Sequence, residues 1–373
     1  MLLVGAGHAH LEVLRRFARR RLANCALTLL TPRRTALYSG MLPGVVAGLY
    51  APEAAEIDAV GLAWAAGAEV TLGTATGLDL TRRHVFRGDA PPLAYDLLSL
   101  DIGSGRNDGG ISGVLPIKPI GGLLAGLAAM RARLAAGGQG RVAVVGGGAA
   151  GVELSLALAR CLLPSPSLTL LTAAADILPG FPPAARRRLR ASLAGHGVGL
   201  LTDARVVANG PGGLQLADGR SVAADAVLWA TAASPPGWLA GSGLALDADG
   251  FVRVDDTLRA TGREDVFAAG DVSVFDSRPL PRSGVYAVRA APLLAANLRA
   301  AATGRRLRQW RPQRHNLYIL STSDGSAVAV RGGLTLAGGW AWRLKDRLDR
   351  RFVARLNTIA QDASQPVDFR VSV

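Results

Sequence analysis

Residues 142–156 read V-A-V-V-G-G-G-A-A-G-V-E-L-S-L, and residues 2–16 read L-L-V-G-A-G-H-A-H-L-E-V-L-R-R. Each has a short Val- or Leu-rich run, a glycine cluster, then apolar residues at helical spacing, which predicts strand, tight turn and helix. Leu27-Thr28-Leu29-Leu30-Thr31 recurs residue for residue as Leu168-Thr169-Leu170-Leu171-Thr172. The first glycine moves from 5 to 146 and the second strand from 27 to 168, the same displacement. Two βαβ units of equal internal length are therefore expected, giving an α/β fold with two Rossmann-like dinucleotide-binding domains.

The glycines have separate tasks. The first permits the tight turn; the second lets backbone N–H groups approach a pyrophosphate at the helix N-terminus, where the dipole favours negative charge. The second unit carries all three, Gly146, Gly148 and Gly151, whereas the first has Gly5 and Gly7 with His10 in the third place. His8 and His10 would touch a phosphate, donate to the cofactor's surroundings, or fill the gap that the missing glycine leaves. An acidic residue usually follows the second strand to accept the adenosine ribose hydroxyl. Here the strands end in Thr31 and Thr172, weaker partners for that hydroxyl. Three alanines after Thr172 offer no arginine to a 2′-phosphate, which favours NAD over NADP, while Arg33 and Arg34 follow Thr31 and would meet phosphate or solvent.

The 373 residues are 49% hydrophobic and 19% charged, enough to build two or three cores and too apolar for a disordered chain. Two cysteines, Cys25 and Cys161, exclude a disulfide-stapled scaffold and a cysteine-rich metal site. They are expected as small buried hydrophobes in equivalent places of separate domains. No metal-ligand cluster, serine elbow or Walker loop is present, so no metal is expected. The start of the chain leaves no room for a signal peptide, and no apolar run is long enough to span a bilayer. The expected location is the cytoplasm.

The formal charge is +14. Most of it lies between Arg299 and Arg355, where thirteen Arg or Lys face Asp324, Asp346 and Asp349. There Ala341, Leu344, Leu348, Phe352 and Leu356 recur at helical spacing, with Trp340 and Trp342 leading and basic residues around them. Such a helix either packs its apolar stripe on the body or lies, through 340–356, on the anionic inner face of a membrane. Nothing resembles a nucleic-acid module, and no such partner is expected.

Four stretches together resemble the pyridine nucleotide–disulfide oxidoreductase superfamily of FAD flavoproteins, most of all its type II NADH dehydrogenase-like members, including the flavoprotein domain fused to selenide water dikinase. They are Gly5-Ala6-Gly7-His8-Ala9-His10, Tyr38 to Gly44 (Y-S-G-M-L-P-G), the 146–153 motif ending in Glu153, and Thr261 to Asp271 (T-G-R-E-D-V-F-A-A-G-D). The resemblance implies that FAD is held by Gly5, Gly7, His8, His10, Thr31, Arg33, Pro43, Gly103, Asp271, Tyr286 and Ala287. It implies that NAD(P)H is held by Gly146, Gly148, Gly151 and Thr172. Asp101 stands where relatives have alanine, and Ala232 where they have glycine; Asp101 and Arg289 would otherwise form an ordinary ion pair.

In such proteins a flavin accepts hydride from the nicotinamide and passes electrons to an acceptor, the protein supplying position and electrostatics. Glu153 is the expected catalytic carboxylate, orienting the carboxamide or relaying a proton. Lys118 is one of only two lysines. Its compact charge is expected near the flavin or paired with Glu153. Without a cysteine pair beside the flavin, disulfide reduction is excluded, and a quinone-like or other small acceptor is expected. The alternative is a flavoenzyme acting on an organic or sulfur/selenium substrate with a degenerate second nucleotide site. The expected layout is an FAD domain of 1–115 plus 251–305, an NAD(P) domain of 116–250, and a C-terminal α+β region of 306–373. In that region, short strands at Asn316–Leu320 and Ala327–Val330 flank a hairpin turn at 321–325.

Overall fold

The computed structural model describes residues 1–105, 110–118, 120–135, 140–162, 167–231, 233–278 and 280–362. Ala232 lies outside them. Two five-stranded sheets, all parallel, carry the fold. In the first, the order is Val266–Ala268, Leu98–Leu100, Leu2–Val4, Leu27–Thr31, Ala68–Leu72. In the second, it is Leu115–Pro116, Ala226–Trp229, Val142–Val145, Leu168–Leu171, Val198–Leu201. The glycine-turn strand is central in both, so both turns open at the carboxyl edge of a sheet, where α/β folds hold ligands.

The sequence repeat is a repeat of hydrogen bonds. Gly5 N–H donates to the Leu30 carbonyl at 2.8 Å, and Gly146 N–H to the Leu171 carbonyl at 2.8 Å. Asp101 N–H donates to Val4 at 2.9 Å, as Ala230 N–H does to Val145 at 2.7 Å. Asp101 and Ala230 are thus structural equivalents. Each sheet also carries a three-stranded antiparallel meander, Gly77–Asp79, His84–Arg87 and Ala90–Ala94 in one, Val206–Gly210, Gly213–Leu216 and Ser221–Val222 in the other.

The helices His8–Arg19 and Gly284–Ala302 cover the first sheet and bury Val13, Leu14, Phe17, Leu294 and Leu298 with the strand residues Leu3 and Leu29. Ala149–Cys161 and Pro183–Gly195 bury Val152, Leu156, Leu189 and Leu193 against the second. Burying one such side chain is worth about 1.5–3 kcal/mol, so each sheet face is held by its own core.

The C-terminal region is a three-stranded antiparallel sheet, Leu317–Ser321, Ala327–Arg331 and Leu334–Gly338, followed by the helix Gly339–Asp362. The expected hairpin is present, and a third strand joins it. The buried stripe of the helix keeps Ala341, Phe352 and Leu356 of the one the apolar spacing suggests, but Leu348 is 46% exposed, and Lys345, Asp349, Val353 and Ala360 face inward as well. Two charged residues therefore occupy core positions. They lie four apart and neutralise each other, with Lys345 Nζ donating to Asp349 Oδ2 at 2.7 Å. The inward face packs on Ala59–Ala65 and the strand Glu56–Asp58 of the first half, bringing the last helix back to the first glycine turn.

Candidate functional site

The first turn needs its glycines. Gly5 has φ +89°, and a Cβ there would lie 2.4 Å from the Asp101 carbonyl oxygen; one at Gly7 would lie 2.2 Å from Asp101 Oδ1. His10, by contrast, fills space. Fully buried, its Nδ1 lies 2.7 Å from the Gly5 carbonyl and its Nε2 2.8 Å from Ser99 Oγ. Burial pushes the ring down to about 4, so it is neutral; Nδ1–H donates to Gly5, and Nε2 accepts from the Ser99 hydroxyl. In the second turn a Cβ at Gly151 would lie 1.8 Å from the Gly146 carbonyl oxygen. In the first turn an imidazole occupies the corresponding place and bonds the equivalent carbonyl, that of Gly5. Of the three places open to His10, it takes the gap beneath the turn.

Asp101 is the partner change. Where the second unit has Ala230, the Asp101 carboxyl lies against Gly7 and Gly270, and its Oδ2 accepts from His10 N–H at 2.8 Å. Loss of water raises its pKa from 3.8 to about 7; backbone N–H groups of His10 and Ala9 oppose the rise, and the Asp271 charge adds to it. Arg289 is exposed and makes no ion pair among the described residues. The expected Asp101–Arg289 pair is not formed.

Lys118 pairs with Asp271, joining the inter-domain crossover to the strand end that follows Ala268. It does not pair with Glu153. His8, at the first turn of its helix, stands edge-on to Tyr38 with centroids 5.3 Å apart. Burial lowers its pKa, Asp271 works the other way, and Lys118 adds to the lowering. Asp271, Tyr286 and Ala287 line one small cavity. Pro43 is buried in the short helix Leu42–Val46, and Gly103 turns the chain with φ +66°. Thr31 and Thr172 are buried and locally engaged, Thr31 Oγ1 donating to the Arg33 carbonyl at 3.1 Å and Thr172 Oγ1 accepting from Ala174 N–H at 3.3 Å. Arg33 reaches across to donate to the Gly121 carbonyl at 2.8 Å.

Glu153 lies on the helix that opens from Gly148. Its Oε1 accepts from Ser321 N–H at 2.8 Å. Burial raises its carboxyl to about 7, with Lys345 opposing and Asp349 adding to the rise. Lys345 also donates to the Gly40 carbonyl at 2.6 Å, and the Tyr38 hydroxyl donates to Asp349 Oδ1 at 3.3 Å. Burial and Asp349 hold the Tyr38 hydroxyl protonated, with its pKa well above the usual phenol value. Lys345, Asp349 and Tyr38 are hydrogen-bonded in a chain, and Glu153, half-buried and held by Ser321, feels the charges of Lys345 and Asp349 without bonding to either. Sequence reading missed Lys345 and Asp349 because they were counted into a basic, outward face. The rarity of lysine, which singled out Lys118, applies equally to Lys345.

The first turn fits the pyrophosphate of FAD. Its helix has no acidic residue in the first turn and its N-cap glycine adds no side chain; Asp101, from the neighbouring strand, takes the His10 N–H, and among the described residues the buried Ser104 hydroxyl three residues past Asp101 has no hydrogen-bond partner. The second turn fits a nicotinamide dinucleotide, since no atom lies within 4 Å of a Cβ built on Gly148 and the helix there is uncapped. Cys25 and Cys161 are half-buried rather than buried, and each packs on the core of a different sheet. Among the described residues no His, Cys, Asp or Glu cluster could hold a metal ion, and no helix is long and apolar enough to cross a membrane.

The pyridine nucleotide–disulphide oxidoreductase family model matches residues 1–291. The chain belongs to this family. Its fold is shared with the sulfide:quinone oxidoreductase of the hyperthermophilic bacterium Aquifex aeolicus, at 16% identity and TM-score 0.80 over 96% of this chain and 91% of that one. NDH2 of Plasmodium falciparum, solved with NADH, gives 12% identity and TM-score 0.81 over 97% and 96%. Fe-regulated protein 8 of Mycosarcoma maydis is 31% identical over 136 residues, 35% of this chain and 34% of that protein. The chain thus matches about a third of that curated relative's length. As a member of the family, the chain is built on two dinucleotide-binding folds.

Proposed function

We propose that this chain is an FAD-dependent NAD(P)H oxidoreductase, with NADH favoured, that reduces a quinone-like or other small acceptor without a redox disulfide. FAD, when bound, supplies the chemistry of accepting hydride from NAD(P)H and handing electrons on. Gly5 and Gly7 would admit its pyrophosphate, and Asp271, Tyr286 and Ala287, which share one cavity, would hold it beyond together with Pro43 and Gly103. Lys118, held by Asp271, places a fixed positive charge there. Gly146, Gly148 and Gly151 would hold the nicotinamide dinucleotide, and the alanines after Thr172 leave a 2′-phosphate without a cation.

The observation that carries the reading is the Glu153 carboxyl, half-buried where the helix after the second turn meets the C-terminal sheet, with loss of water raising its pKa to about 7. A group with that pKa gives and takes a proton at neutral pH, as reduction of a quinone-like acceptor requires. Ser321 N–H holds it from the C-terminal sheet, and the charges of Lys345 and Asp349 on the C-terminal helix act on it from nearby. The half-buried cysteines in separate cores support an acceptor other than a disulfide. The test is steady-state oxidation of NADH with a soluble quinone, where an inactive purified holoprotein would count against the reading.

A second reading, a flavoenzyme for an organic or sulfur/selenium substrate, is favoured by the burial of Thr172 and the lack of a ribose-binding carboxylate. The proposed location is the cytoplasm, with contact to the inner membrane face through 340–356. Exposed Leu334, Leu336, Trp340 and Leu348 beside exposed Arg343, Arg347 and Arg351 support that contact. Because Phe352 and Leu356 anchor the helix in the core, its test is Trp340→Ser with Leu348→Ser rather than truncation. Unchanged sedimentation with anionic vesicles would dismiss it.

A further inference from the structure

A cavity of about 840 Å³ lies between the far end of the helix His8–Arg19 and the far end of Gly284–Ala302. Its position separates it from the first glycine turn. His8 is at the cofactor end of the helix, and twelve residues at about 1.5 Å each put Arg19 roughly 18 Å away. Nine arginines line the cavity, and no Asp or Glu does.

Their partners divide them into three groups. Arg15 and Arg16 share the single negative charge of Glu12, at 2.7 and 2.9 Å, with Arg355 at 3.5 Å. Arg299 is pinned, donating to the carbonyls of Arg20 and Arg21 and lying 5.2 Å from the Phe17 ring centroid. The remaining six, Arg19, Arg20, Arg21, Arg305, Arg306 and Arg308, are exposed, and among the described residues their side chains have no ion pair or hydrogen-bond acceptor.

Helix ends explain only part of this. Two helix C-termini contribute about half a negative charge each. With Glu12 they offset roughly two of the nine positive charges, leaving an excess of about seven. Burial lowers the pKa of Arg299, and the charge of the neighbouring Arg20 adds to that. The floor is apolar, made by Phe17, Leu22, Pro292 and Ala295. A flat basic surface would suit a large polyanion, whereas a concavity of this volume is in the range of small-molecule sites. Guanidinium groups converging without carboxylates select phosphate, which accepts two parallel N–H bonds from each.

We infer that this cavity binds a small molecule bearing a polyphosphate chain, at a site separate from both dinucleotide turns. The site does not depend on the proposed redox reaction, so either can fail alone.

The test is calorimetric titration of the purified holoprotein with inorganic tripolyphosphate at low salt. One variant, Arg19→Gln/Arg305→Gln/Arg306→Gln, removes three unpaired cavity charges. A control, Arg82→Gln/Arg187→Gln/Arg188→Gln, removes three exposed charges elsewhere. Saturable one-site binding, weakened more than about tenfold in the cavity variant and less than about twofold in the control, supports the inference. Equal weakening in both variants, or no saturation by the wild type, overturns it. In a parallel arm, anionic phospholipid vesicles are sedimented with each protein. Cavity-dependent capture seen only with vesicles assigns the arginines to a surface and overturns the small-molecule site. Circular dichroism checks the fold, and should the triple variant not fold, Arg306→Gln alone is expected to weaken binding by about threefold.

Discussion

Replacing Asp101 by asparagine isolates the carboxyl that distinguishes the first turn from the second. The amide would keep the size and an acceptor for His10 N–H while carrying no charge. Burial raises the Asp101 pKa to about 7, so the folded chain holds a proton that the unfolded chain releases near pH 4. The sign follows: the stability this group gives is full below about pH 4 and is lost as pH rises to about 7. Three pKa units at about 1.36 kcal/mol each set the whole loss near 4 kcal/mol, of which about 3 falls between pH 5 and pH 8. Asparagine mimics the protonated acid and escapes it. Scanning calorimetry of both proteins at the two pH values should therefore show the variant gaining on the wild type. For a unit of 150–250 residues the gain is about 6–12 °C in Tm between pH 5 and pH 8. A gap of equal size at both pH values refutes the reasoning, because the helix N-terminus would then be compensating the ionised carboxylate in full.

Other outcomes follow from Glu153 and from the Lys345–Asp349 pair. Glu153→Gln should lower turnover with a quinone acceptor by about 10–100-fold. The wild type is expected to lose activity as pH rises through about 7, and the variant is expected to lack that fall, read from steady-state profiles. Lys345→Met leaves Asp349 buried without its cation and should cost about 3–5 kcal/mol in urea unfolding, whereas the double variant with Asp349→Leu should recover most of it.

The doubled α/β fold was legible because each turn imposes a local rule. Gly5 and Gly146 leave no room for a Cβ, and Leu27–Thr31 repeats as Leu168–Thr172. The same displacement pairs His10 with Gly151, whereas Asp101 answers Ala230 at a different spacing and is matched through the strand hydrogen bonds. The C-terminal helix was misread for a different reason. Spacing of apolar residues fixes the buried face only when the core positions are apolar, and here Lys345 and Asp349 occupy two of them. Glu153 was found from its place after the second glycine turn, but its partners Ser321 and Lys345 come from a region more than 160 residues away, which local patterning does not reach.

Whether the chain holds FAD and takes hydride from a nicotinamide is tested most directly by anaerobic stopped-flow mixing of the purified protein with NADH. The expected result is a yellow protein with close to one FAD per chain, whose flavin absorption bleaches with NADH and more weakly with NADPH. A colourless chain, or a flavin band that persists with both nucleotides at saturating concentration, would contradict it.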